Sequence, residues 1–477
     1  MRVVTQKPTL FGTDGIRGVA GEYPLDHAMV WKVGCALGRV LRESEGSQPV
    51  RVVLGRDTRE SGEWLGSLMA RGLAATGAEV SDVGVITTPG VAFLTRQHRF
   101  GAGVVISASH NPYRDNGIKI LSPGGTKLPE SVELRVEEAL DKLQMPSPAM
   151  FSIAGRRSEL VEDYLHFLES LANNCASKNS GARVRRVVMD CANGAASELA
   201  PELMRRIGIE PIVLNAAPDG RNINLNCGSL HPEAMAHAAR AAGADLGVAF
   251  DGDADRAIFA SSAGRILDGD YVLYAASHFF AGRGELRGGA VVGTLMTNFA
   301  LELALTRRSI GLKRTPVGDR YVLEEMLRSG INLGGEPSGH IIFADQSLAG
   351  DGLITLLEIL RIMTETGESL DELVHDYSPL PQLIVNVPVR TKPPLESIPA
   401  VADAIENCRR DIDGNGRAVV RYSGTELLAR VMVEAQDAGV VRKHAHGIAA
   451  AIENAIGLAT GVMHASPNPA EPVEVAE

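Results

Sequence analysis

What constrains this chain most is one repeated pattern, an apolar run of strand length followed by a polar loop and then a helical pattern. It appears as VRVVLG before ESGEWLGSLMARGLAATG, as RRVVMDCANG before SELAPELMRRIG, and as GAVVGTLMTN before FALELALTRR. Strands that alternate with helices build βαβ units, in which helices cover the faces of mixed, largely parallel sheets. The fold class expected is α/β. In open sheets of this kind ligands bind outside the carboxyl ends of strands, so the loops after the apolar runs should carry the chemistry.

At 477 residues the chain exceeds one ordinary core, and about 100–200 residues per domain gives three or four domains. Residues 1–150, 151–265 and 266–380 each read as an α/β domain. Residues 381–464 read as a smaller α+β domain, with a strand LIVNVPV, a helix, a strand pair around RYSGTELLARVMVEA and a last helix. The remainder, 465–477, is rich in proline and acid and is expected to be a disordered tail.

A hydrophobic fraction of 45% and a charged fraction of 22% are those of a globular protein. The first residues lack the apolar core of a signal peptide and no run is long enough to cross a membrane, so a cytoplasmic protein without a membrane partner is expected. A net charge of −11 argues against a nucleic-acid partner, and an anionic ligand would need its cations gathered locally. Cys35, Cys175, Cys191, Cys227 and Cys408 are scattered, which suggests core residues rather than disulfides or a thiolate metal site.

Three strand-end loops stand out. In FDGDADR, Asp251, Asp253 and Asp255 alternate, so in an extended loop their carboxylates would point the same way onto one hard cation, with Mg2+ the best fit. An EF-hand beginning at Asp251 would need glycine and glutamate where Arg256 and Ser262 stand, and the nucleophile loop of a haloacid-dehalogenase-type phosphatase would not have Asp255 at its fifth position. In ISASHNP, Ser107 and Ser109 close an apolar run, with His110, Asn111 and Lys119 nearby; the residues alone do not choose between the serines. No G-x-S-x-G elbow accompanies them, and a lysine suits a phosphate better than an oxyanion hole. In GGEPSGH, Glu336, Ser338 and His340 sit among glycines that let backbone approach a polyhydroxylated ligand.

Two further loops complete the inventory. RYSGTE offers Arg421, Ser423, Gly424 and Thr425, a guanidinium with hydroxyls and main-chain N–H groups for a phosphate. FGTDGIRG places Arg17 between glycines. A serine, three carboxylates, a sugar-type loop and a phosphate cradle together describe phosphoryl transfer to or from a phosphorylated small molecule.

These loops, in this order, resemble the α-D-phosphohexomutase superfamily over the whole of residues 1–464, most closely its bacterial amino-sugar branch, through FGTDGIRG, VGTLMTNFALELAL, VGDRYVLEEM and the Ser-Ala-Ser form of the serine loop. Pro337, Leu427 and Ala254 depart from that pattern without removing a charge or a ligand. The resemblance implies four domains around a central cleft and a phosphoserine at Ser109. Asp251, Asp253 and Asp255 would hold Mg2+ together with the Ser109 phosphate, and Arg17, His110, Lys119 and Arg256 would act at the transferred group. Glu336, Ser338 and His340 would read the sugar, and Arg421, Ser423, Gly424 and Thr425 its other phosphate.

It also implies a reaction. Phospho-Ser109 would give its phosphoryl group to a hexosamine phosphate, the bisphosphate would turn over, and the second phosphate would return to Ser109. A trace of hexose bisphosphate would then act as activator, on a route towards UDP-N-acetylglucosamine. The residues leave His110, Lys119 and His340 all open as proton carriers. A mutase acting on glucose or mannose phosphates, a sugar phosphatase and a non-catalytic binder are the alternatives.

Overall fold

The computed structural model describes residues 8–12, 14–45, 49–140, 142–143, 157–175, 184–423, 427–458 and 464–466. The chain separates into two compact units. One comprises residues 1–294 and 315–374, the other 295–314 and 375–477.

In the first unit, the sheet nearest the N-terminus runs in the order Ile16–Val19, Asp115–Leu121, Ala102–Ile106, Arg51–Arg56, Glu79–Val85. The pairs Arg51–Arg56 with Glu79–Val85 and with Ala102–Ile106 are parallel, and Asp115–Leu121 returns antiparallel. Ala102–Ile106 is buried at every position, as an interior strand covered on both faces should be. Helices His27–Glu45 and Gly62–Ala74 pack on this sheet through a core that includes Ile16, Leu54, Leu65, Met69, Val104 and Ile106. Helix Thr88–Gln97 begins where Thr87 accepts a hydrogen bond from Gly90 N, with proline in the first turn, both standard helix starts.

A second sheet repeats the plan, in the order Ile266–Leu267, Ala257–Ser261, Leu246–Phe250, Arg186–Asp190, Glu210–Leu214, and again the apolar strand Leu246–Phe250 is buried throughout. A third pairs Ala290–Thr294 parallel to Leu333–Gly335, and that strand antiparallel to Ile341–Phe343. The three catalytic-looking loops leave the ends of Ala102–Ile106, Leu246–Phe250 and Leu333–Gly335, three related positions in three related sheets. The architecture is the expected α/β.

The second unit is an antiparallel sheet, Gly416–Tyr422, Leu428–Ala435, Gln382–Pro388, His464–Ser466. One face buries Val385, Val387, Val431 and Val433 against helices Pro399–Asp411 and Ala438–Ile456. Residues 295–314 cluster here through Asn298, whose side chain bonds the main chain of Leu380, and through Thr297, whose carbonyl accepts from Arg314 and Arg417. The tail expected from residue 465 starts differently. Ala465 and Ser466 extend the sheet antiparallel to Gln382–Pro388, because main-chain pairing needs no apolar side chains. Residues 467–477 lie outside the described residues.

Cys35, Cys191, Cys227 and Cys408 are buried, and burial pushes the Cys35 and Cys408 thiols up to about 11. The Cys175 side chain lies outside the described residues. Among the described residues no helix is long and apolar enough to cross a membrane.

Candidate active site

Ser109 leaves the end of Ala102–Ile106 in the left-handed region, at φ 54°. A non-glycine residue there is uncommon and costs of order 1–3 kcal/mol, which the surroundings must hold in place. The surroundings are explicit. Ser107 Oγ accepts from the Ser109 main-chain N–H at 2.9 Å and donates to Asp57 Oδ2 at 2.7 Å. Ser107 is therefore a support, and the left-handed turn breaks the strand alternation that made the two serines look equivalent. The Ser109 hydroxyl donates to Asp251 Oδ2 at 2.5 Å and lies 3.2 Å from His110 Nδ1. The residue is 1% exposed.

Asp251, Asp253 and Asp255 do converge, with one carboxylate oxygen from each within 4.8 Å of the others. Their route there is not the extended loop expected from alternation. Residues 251–256 form a turn, closed by Ala254 N donating to Asp251 O at 3.0 Å with Ala254 at φ 56°. That backbone position favours glycine, so Ala254 bears a left-handed cost of about 1–2 kcal/mol. Asp253 Oδ1 and Asp255 Oδ1 are buried with no hydrogen-bond partner. Three buried carboxylates with two unpartnered oxygens fit a hard divalent cation.

Lys119, from strand Asp115–Leu121, reaches Asp253 at 2.8 Å, Asp14 at 3.4 Å and Asp255 at 3.9 Å. Burial works against its charge, yet Asp14, Asp253 and Asp255 outweigh that and hold the ammonium well above its usual range. Lys119 is thus held as a cation by the carboxylates around it. Burial and the neighbouring Arg256 and Arg17 push His110 down to about 4, so its imidazole is neutral at physiological pH. For His340 burial opposes charge but the hydrogen bond and charge of Asp255, with Asp319 and Glu336, hold it up at about 9. Burial and the neighbouring Asp255 and Asp253 carry Asp251 well above the usual carboxylate range.

Arg256 donates its main-chain N–H to Asp251 Oδ1 at 3.2 Å, and its guanidinium lies 3.7 Å from Asp255. Arg17 is ion-paired with Asp14 and reaches Asn111 Oδ1 at 3.4 Å. The sugar-type loop is a hairpin turn with Gly339 at φ 89°, closed where the Glu336 main-chain N–H donates to His340 O at 3.0 Å. Glu336 Oε1 accepts from Gly318 N at 3.0 Å, and Ser338 Oγ is buried without a partner. Pro337 contributes its carbonyl, accepting from Gly269 N at 3.0 Å, and needs no N–H of its own.

Several participants had no signal in the sequence. Asp14, Lys127 and Asp319 close a ring of alternating charge with Lys119, Asp255 and His340: Lys119–Asp14 3.4 Å, Asp14–Lys127 2.9 Å, Lys127–Asp319 2.7 Å, Asp319–His340 4.0 Å, His340–Asp255 3.6 Å, Asp255–Lys119 3.9 Å. The ring borders a cavity of about 430 Å³. Thr88, first residue of its helix, donates to Asp253 Oδ2 at 2.5 Å. FGTDG and VGDRY contained two of these carboxylates, but nothing local marked them as partners of one lysine.

The structure brings Ser109, His110, Arg17, Lys119, Arg256, His340 and the three aspartates together in the first unit. Arg421 and Ser423 lie on the second, where Arg421 faces Arg430 across the strand pair. Burial and the neighbouring Arg430 lower Arg421 from its usual range. Lys392 Nζ donates to Ser423 O at 2.7 Å. Gly424 and Thr425 lie outside the described residues.

Four family models match the chain in order. They are described as phosphoglucomutase/phosphomannomutase alpha/beta/alpha domain I over residues 8–146, domain II over 162–264, domain III over 268–380, and the C-terminal domain over 384–451. Phosphoglucosamine mutase of Koribacter versatilis is 47% identical over 94% of this chain and 97% of its own length, and that of Solibacter usitatus 48% over 94% and 99%. The chain belongs to the phosphoglucosamine mutase family. Its four-domain α/β architecture is that of the phosphohexomutases. Among solved structures, a phosphoglucomutase/phosphomannomutase family protein from Burkholderia thailandensis shares the fold with a TM-score of 0.75 at 22% identity, covering 94% of this chain and 99% of the other. N-acetylphosphoglucosamine mutase of Aspergillus fumigatus, solved with GlcNAc-6P and magnesium, shares it at 0.67 and 19%, covering 94% and 96%. A phosphoglucosamine mutase is an isomerase that moves a phosphoryl group.

Proposed function

We propose that the chain interconverts glucosamine 6-phosphate and glucosamine 1-phosphate by passing a phosphoryl group through Ser109. The observation that carries this reading is the buried Ser109 hydroxyl, 2.5 Å from Asp251 in a carboxylate triad whose second and third members face Lys119. The bond between phosphorus and Ser109 Oγ breaks as a bond to the free sugar hydroxyl forms, and that hydroxyl gives up its proton. After the bisphosphate has turned over, its other phosphoryl group returns to Ser109 Oγ and a proton returns to the sugar.

Phosphoryl transfer passes through a loose state in which positioning and charge neutralisation do most of the work. Lys119 and Arg256 supply fixed positive charge there, and neutral His110, 3.2 Å from the Ser109 hydroxyl, is able to accept a proton. Asp251, Asp253 and Asp255 would hold a magnesium ion with an oxygen of the phosphorylated serine, and the bound ion would neutralise charge on the transferred group. Glu336, Ser338 and His340 are assigned to the sugar. Arg421, Ser423, Gly424 and Thr425 are assigned to the non-reacting phosphate, since an anion relieves the repulsion of Arg421 and Arg430, paired across adjacent strands.

The test is kcat/KM for glucosamine 6-phosphate beside glucose 6-phosphate and mannose 6-phosphate, with magnesium and a trace of hexose bisphosphate. Preference for the amino sugar with ester phosphate conserved supports the reading. Preference for glucose or mannose moves the enzyme to a neighbouring activity, and phosphate release in step with substrate loss replaces the mutase by a phosphatase.

A further inference from the structure

The Ser109 loop is held from behind by a buried arginine that lies 50 residues earlier in the chain. Arg59 follows the strand Arg51–Arg56 in the run GRDTR, and its guanidinium is fully buried, as is its partner Asp57. All three guanidinium nitrogens are engaged. Nε bonds Asp57 Oδ2 at 2.9 Å. Nη1 bonds the carbonyls of Asp115, at 3.0 Å, and Pro112, and Nη2 those of Ser109 at 3.0 Å and Asn111 at 2.8 Å. Asp57 in turn accepts from Ser107 Oγ, the hydroxyl that holds the Ser109 N–H.

A second side chain takes two of the same carbonyls from another direction. Asn224, in the domain that carries the aspartate loop, donates Nδ2 to Ser109 O at 2.9 Å and Asn111 O at 3.1 Å. Its own backbone is left-handed, at φ 58°. Gly252 completes the contact, for a Cβ there would stand 2.5 Å from Ser109 O. A charge is costly to bury without partners; Asp57 balances this one, and its four other bonds all go to main-chain oxygens of one loop, so the guanidinium fixes that loop.

We infer that Arg59, assisted by Asn224, is a positioning residue for phosphoryl transfer, which sets the left-handed Ser109 so that its hydroxyl meets the carboxylate triad. It touches neither substrate nor metal and works through the carbonyls of residues 109, 111, 112 and 115. The inference rests on Ser109 being the phosphoryl carrier. In a trans peptide the carbonyl and the following N–H point to opposite sides. Gripping Ser109 O therefore also turns the His110 N–H away from Arg59.

The test uses the full-length enzyme with magnesium. Arg59→Lys keeps the charge but cannot reach four carbonyls, and Asn224→Ala removes the second grip without stranding a buried charge. If the pair positions Ser109, Arg59→Lys lowers kcat by about 100-fold with KM for the sugar phosphate little changed, as expected for a misplaced reacting group. Asn224→Ala lowers kcat in the same sense by about 10-fold. Both variants keep the melting-temperature rise that magnesium gives the wild type, and both take up phosphate on Ser109 more slowly by intact mass. A folded Arg59→Lys enzyme with wild-type kcat overturns the inference, as does an Asn224→Ala enzyme with wild-type kcat. So does a parallel loss of kcat and of the magnesium response in both, which would mark a merely structural role. Ser109→Ala separates the underlying reading: phosphate still carried by that variant removes Ser109 as carrier, whatever Arg59 does.

Discussion

Ser109 is reactive in this scheme because of what its neighbours withhold as much as what they offer. Ser107 and Asp57 fix its main chain, the hydroxyl is aimed at Asp251, and the residue is almost fully buried. Ser109→Ala should therefore abolish turnover and the added phosphate seen by intact mass, while Ser107→Ala should keep the phosphate with reduced kcat. Lys119 carries the opposite burden. It is 5% exposed at the side chain and faces three aspartates, and removing one partner of a buried ion pair costs about 3–5 kcal/mol. Lys119→Met should lose stability of that order by urea denaturation without magnesium, and a smaller amount with it. Thr88 orients one member of the aspartate triad. Thr88→Val should weaken magnesium binding by about 10-fold or more, measured by calorimetry, because the hydrogen bond that orients Asp253 is gone.

Elements present these residues through their ends. Two helices near the site begin at aspartates, one half-buried and one buried. Asp268 caps Gly269–Arg283 and Asp351 caps Gly352–Thr366, each accepting from two main-chain N–H groups. Burial raises Asp351 to about 6 against the hydrogen bonds of Tyr164, Ile354 and Leu353, which lower it. A carboxyl with a raised folded value favours the folded state most when protonated. Its contribution is complete below the unfolded value near 3.8 and is lost as pH rises through about 6. The difference between the two values amounts to about 3 kcal/mol. Asp351→Asn keeps the cap and the Tyr164 contact but cannot ionise. Its stability relative to wild type should therefore increase between about pH 4 and pH 6.5, by denaturation at a series of pH values. A difference independent of pH would show that Asp351 does not titrate in that window.

On the scale of the whole molecule, an acidic chain of net charge −11 collects Lys119, Lys127, Arg256 and Arg17 at one place in its first unit. That is how such a chain can take an anionic substrate. The same place holds the unpartnered triad oxygens, so magnesium binding should stabilise the fold. At a concentration 100 times its dissociation constant a ligand of the native state adds about 2.7 kcal/mol. Chelation should lower the melting temperature and abolish activity together, and magnesium should restore both.

Much of this was legible in the letters. Apolar runs ending in polar loops gave the α/β class, and the loops ISASHNP, FDGDADR and GGEPSGH named the residues, because strand period and motif spacing are local properties of a chain. The sequence could not say which serine faces the aspartate triad, since that depends on a left-handed turn at Ser109 held by Asp57 and Arg59. It misread how the aspartates converge, because a tight turn at Ala254 replaced the extended loop. Asp14, Thr88, Lys127, Asp319 and Asn224 left no mark in the sequence, for their partners lie far along the chain, up to 192 residues away for Lys127 and Asp319. Such contacts are fixed only when separate sheets pack, and burial then makes each pairing obligatory. The sequence determined the kind of chemistry and the residues able to perform it. The tertiary structure decided which of them meet, and in which protonation state.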